Sequence, residues 1–144
     1  MKIIDAHVHF SRIHTFQRTA VDASMLAYDH KGIERECEDA SVIATVGMGV
    51  EESVTGAFPD HSAPDLMGLN LPDRPKTMGI CIGINPFRFS KESVEKLDAL
   101  LEEREYVGVK IYLGYYPYYA FDDVYQPVYE LAKKHRVPVV FHTG

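Results

Sequence analysis

Cysteine is scarce in this chain: Cys37 and Cys81 are the only two in 144 residues, too few for a disulfide framework. A reducing, cytoplasmic setting is the expectation that follows. Long apolar runs are missing too. None approaches the ~20 residues a membrane-spanning helix needs. Asp5, His7 and His9 interrupt the N-terminal segment before the charged, apolar and small regions of a signal peptide can develop. Positive charge is also short, with 15 Lys and Arg against 21 Asp and Glu and a formal net charge of −6. Nucleic acids and anionic membranes select a basic face, so neither is expected as a partner, and a small-molecule substrate is. Repeats and low-complexity tracts are absent.

What is present is ordinary globular composition, 46% apolar and 25% charged. The expectation is one domain over residues 1–144, burying roughly 68–70% of its unfolded surface. Short apolar runs rich in β-branched residues predict strands over Lys2–Val8, Ser41–Val46 (ended by Gly47-Met48-Gly49), Thr77–Ile84, Tyr106–Leu113 and Pro138–His142. Their lack of alternation is the pattern of a parallel sheet covered on both faces. Helices are predicted between them. One lies within Thr19–Ala40. Another runs from an N-cap at Ser90 to about Tyr106, with Val94, Leu97, Leu100 and Leu101 as its stripe. A third is capped by Asp123, with Gln126 completing a capping box, Pro127 in the first turn and Lys133-Lys134-His135-Arg136 at the C-terminus. Such alternation predicts βαβ units and an α/β fold. Met48–Lys76, with Pro59, Pro64, Pro72 and Pro75, reads as a long loop with at most one short helix, and loops of that length are usually functional or mobile.

The informative side chains are histidines. In a strand, residues i and i+2 share a face roughly 7 Å apart, so His7 and His9 can converge on one cation from a single rigid element. The alternative is a pair of strand-end histidines with local hydrogen bonds. His142 ends another predicted buried strand, and in parallel α/β folds the C-terminal strand ends form the face where ligands gather. Three histidines at two such ends point to a convergent metal site, since imidazoles are standard ligands of zinc.

Ile4-Asp5-Ala6-His7-Val8-His9-Phe10 resembles the strand-1 His-x-His motif of the amidohydrolase superfamily. Gly108-Val109-Lys110-Ile111-Tyr112 and Pro138-Val139-Val140-Phe141-His142-Thr143-Gly144 resemble strands 4 and 5 of its amidohydrolase 2 branch. The resemblance implies the N-terminal part of a (β/α)8 TIM barrel, with five strands present. It implies metal ligation by His7, His9 and His142, with zinc first among divalent ions and manganese or iron behind. Lys110 either becomes a carbamate bridging two metals or is a buried cation paired with a carboxylate. Asp5 either orients a ligand imidazole or makes a structural hydrogen bond.

Weaker candidates for substrate contact follow from position. Arg12 and Arg88 lie on loops after strands, where a carboxylate-bearing substrate would be clamped, although exposed surface charge explains either alone. His14 is within reach of the strand-1 end. Tyr112 opens an aromatic stretch, with Tyr115, Tyr116, Tyr118 and Tyr119, that either walls a site or covers the barrel rim. His30, His61 and His135 are assigned no role, His135 being placed on the polar side of a helix end.

An eight-fold barrel takes about 250 residues, and the family's strand-6 histidine and strand-8 aspartate have no counterpart here. The expectation is therefore the first part of a longer protein or a half-barrel completed by another chain. No catalytic residue is assigned. The implied activity is metal-dependent hydrolysis of a C–N or C–O bond in a small carbonyl substrate. The alternatives are non-oxidative decarboxylation in the same family and a catalytically silent half-barrel that associates through its open side as a homo-oligomer.

Overall fold

The computed structural model describes residues 1–143 apart from Pro59 and Pro72. Those two prolines of the predicted loop, and Gly144 of the third motif, lie outside the described residues. Five strands run parallel in the order β1 (Ile3–Val8), β2 (Val42–Met48), β4 (Met78–Ile84), β5 (Tyr106–Ile111) and β6 (Val139–Phe141). The two-residue strand β3 (Leu66–Met67) pairs antiparallel with β4, Leu66 against Ile84 and Met67 against Gly83. The parallel sheet curves into a half-barrel, as in the N-terminal part of a (β/α)8 barrel. All C-terminal strand ends therefore open on one rim.

The alternate residues of β4 and β5 explain the layering. Ile80, Ile82 and Ile84 with Val109 and Ile111 pack outward on Leu97 of α3 (Lys91–Leu100) and on Val128 and Leu131 of α4 (Gln126–His135). Cys81, Gly108 and Lys110 face the concave side. Val107 departs from the simple alternation. A register shift between β4 and β5 sets it beside Gly79, whose Cβ would lie 2.9 Å from the Val107 methyls.

Several predicted boundaries move. Where one helix is expected within Thr19–Ala40 there are two, and the first starts earlier: α1 (His14–Asp22) and α2 (His30–Asp39); the Asp29 side chain caps the second by accepting from the Gly32 amide at 2.7 Å. β2 runs through Gly47 to Met48, because Gly47 is needed for packing: a Cβ there would lie 2.8 Å from a Leu69 methyl. α3 stops at Leu100, and the amides of Glu102 and Glu103 turn back to the carbonyls of Ala99 and Leu100. Its capping box is real, Ser90 exchanging hydrogen bonds with Ser93. The box predicted at Asp123 does not form. Asp123–Tyr125 is a 3-10 turn, and the neighbouring Asp122 carboxylate accepts instead from the Tyr119 amide. Residues 49–77 contain β3 and, among those described, no helix. No helix of the described residues is long and apolar enough to cross a membrane.

Candidate metal centre and cleft

His7 and His9 sit at the C-terminal end of β1, and His142 follows the end of β6, so the three share the same rim. The two β1 imidazoles approach with Nε2 atoms 3.2 Å apart. Two nitrogens bound to one tetrahedral zinc at 2.0–2.1 Å stand about 3.3 Å apart, so this pair fits the bite of a divalent cation. At this distance the same pair can also share a hydrogen bond. Desolvation at the rim lowers the pKa of all three histidines. The buried Lys110 ammonium adds to the lowering in each, and Asp5 works against it at His7. Neutral imidazole, the form a metal needs, is thereby favoured.

His142 is less committed. Its ring packs 4.5 Å from the Tyr115 ring and 6.1 Å from that of Tyr112. Among the described residues, no group of three or more His, Cys, Asp or Glu side chains is gathered closely enough to hold a metal.

Lys110 is fully buried. Its Nζ donates to the Phe141 carbonyl at 3.4 Å and lies 5.6 Å from the Tyr112 ring centre. Among the described residues it makes no ion pair with a carboxylate. Burial lowers its pKa, partly offset by the neighbouring Cys81; burial in turn pushes the Cys81 thiol up to about 11, with Lys110 opposing. Asp5 spends one oxygen on the backbone amide of His7, at 3.0 Å. That is a structural hydrogen bond and not a contact with the imidazole.

A cleft of about 670 Å³ opens beside His9 and His142. Its walls come from α1, the loop after β2 and the start of the loop after β5. Phe16 meets the His9 ring at 5.1 Å, and Phe58 meets Tyr112 at 5.1 Å and Tyr115 at 5.5 Å. The Tyr112 hydroxyl donates to the Gly49 carbonyl at 2.8 Å, and burial raises its pKa. It is a fixed wall, held protonated.

Of the four weaker candidates, only Tyr112 lines this cleft. Arg12 is exposed and borders two other hollows with Asn70, one of which shares Ile13, Val50 and Glu52 with the cleft. His14 is exposed at the first position of α1. Arg88 is exposed and donates to the Ser62 carbonyl at 2.9 Å. The aromatic stretch divides: Tyr112 and Tyr115 wall the cleft, Tyr116 is buried in the cluster beneath it, and Tyr119 stacks on Phe121 in solvent. His30 bridges Glu34 and Asp73, and His61 packs on Phe87. His135 is not left on a polar face; it is drawn against Asp98 of α3. Residue reading missed Phe16, Glu52 and Phe58. The length of the proline-marked loop was the one signal pointing toward the last two.

The chain matches the Amidohydro_2 family model, described as amidohydrolase, over residues 4–144. It belongs to this family. No curated protein and no solved structure matches it significantly.

Proposed function

We propose that this chain carries the histidine part of a metal-dependent amidohydrolase centre. His7, His9 and His142 hold a divalent cation, zinc first, for hydrolysis of a C–N or C–O bond in a small carbonyl substrate. The supporting observation is the 3.2 Å approach of the His7 and His9 Nε2 atoms on the rim that also carries His142. When bound there, such a cation polarises a carbonyl and lowers the pKa of water. The chain's own residues supply the rest: the desolvated histidines stay neutral, Lys110 supports the rim from below, and Tyr112 seals one wall. A carbamate on Lys110, bridging two cations, belongs to the same proposal. Residues 1–144 act as one unit, an incomplete barrel, and the free thiols Cys37 and Cys81 suit a cytoplasmic setting.

The test is elemental analysis of zinc-loaded protein after dialysis. One or more equivalents are expected, lost in His7→Ala, His9→Ala and His142→Ala. Full stoichiometry in all three variants would remove the site. With turnover in hand, carbon dioxide release without water consumption would transfer the site to decarboxylation.

A further inference from the structure

The cleft has a polarity that the metal proposal does not use. His9 and His142 line it, and the buried Lys110 stands close enough to act on both through its charge. The rings of Phe16 and Tyr115, which pack on His9 and His142, and that of Phe58 line it as well. Glu52 is also on the wall, and its Oε2 accepts from the Gly56 amide at 2.9 Å. No Arg or Lys lines the cleft among the described residues; Arg12 borders a neighbouring hollow that shares Ile13, Val50 and Glu52 with the cleft, and Arg88 donates to the Ser62 carbonyl.

From this we infer that the cleft selects an aromatic carbonyl compound whose distal end is neutral or cationic, and rejects one whose distal end is a carboxylate. The inference rests on the metal proposal for which end of the substrate points inward. Ring faces carry negative potential that attracts cations, and offset or edge contacts with Phe58 and Tyr115 hold a substrate ring. A distal carboxylate would meet Glu52 and the ring faces with no Lys or Arg on the described lining of the cleft to pair it.

Three probes share the carbonyl end and differ only distally: 4-(aminomethyl)benzamide, 4-methylbenzamide and 4-carboxybenzamide. Calorimetric or NMR titration of the zinc-loaded and the chelator-treated protein ranks them. The expected order is aminomethyl, then methyl, then carboxy. Glu52→Gln should reduce the aminomethyl advantage by about two- to fivefold, the range of a part-exposed ion pair. Phe58→Ala should weaken all three by roughly tenfold. If zinc fails to bind while the ranking holds, the metal proposal falls and this one stands. If zinc binds and the carboxy probe ties or wins, this one falls. Failure of all three probes to bind overturns it as well.

Discussion

Asp60 accepts four hydrogen bonds, from the amides and hydroxyls of Ser53 and Ser62. Burial alone would raise its pKa, but those donors outweigh it and hold the carboxyl at about 2, from 3.8. The sign follows from linkage: a depressed folded pKa stabilises the protein above the unfolded value and loses that stability as pH falls through the folded one. Asp60→Asn should therefore be less stable than wild type at pH 7 in urea unfolding, with the gap closing as pH falls from 3.8 toward about 2. A gap independent of pH would assign the effect to geometry alone. The functional stake is that the same loop carries Glu52 and Phe58 into the cleft. Gly49 is the second sensitive residue. A Cβ there would stand 2.1 Å from the Met67 carbonyl oxygen and 2.7 Å from that of Cys81, both backbone atoms. Gly49→Ala should cost about 1–3 kcal/mol or more, read as a lower urea midpoint; an unchanged midpoint would show that β3 can move aside.

Among the elements, α3 illustrates what local sequence controls. Ser90 and Ser93 close a capping box, and Ser93 also donates to Asp65 at 2.6 Å. Ser90→Ala should lose about 1 kcal/mol, with the slope of the unfolding curve unchanged. Ser90 was legible as a cap because the signal lies within one turn of the helix it starts. Asp123 looked equally good, with Gln126 three residues on, yet the chain enters α4 through a 3-10 turn. Tyr125 there is fully buried beneath the sheet-side cluster, and packing of that ring outweighs a cap worth about 1 kcal/mol. β3 had no sequence signal. Its two residues are held by β4, which they extend beyond the end of β2.

At the scale of the molecule, β1 and β6 are the two edges of the parallel sheet. Ile4 is 63% exposed and Ile43 47%, although both lie on strands. Unpaired edges and uncovered apolar surface drive association, and closed homo-oligomers are the commonest outcome. The 144-residue chain should therefore run above 16.3 kDa on sizing by light scattering, with its concave side as the contact. Ile4→Lys should shift it toward the monomer. A stable monomer at high concentration would contradict this.

The sequence by itself determined the parallel α/β architecture, the strand ends that carry His7, His9 and His142, and the family. These rest on short-range signals: apolar runs, caps and a motif whose spacing is read along one strand. Only the tertiary structure decided what surrounds the histidines. Among the described residues it left Arg12, His14 and Arg88 off the lining of the cleft and Lys110 without a carboxylate partner, and it brought Phe16, Glu52 and Phe58 in from α1 and a long loop. The reason is physical. A side chain's secondary structure depends mainly on its neighbours in sequence, whereas the cleft it faces depends on how the sheet curves and where each loop packs, contacts between residues tens of positions apart.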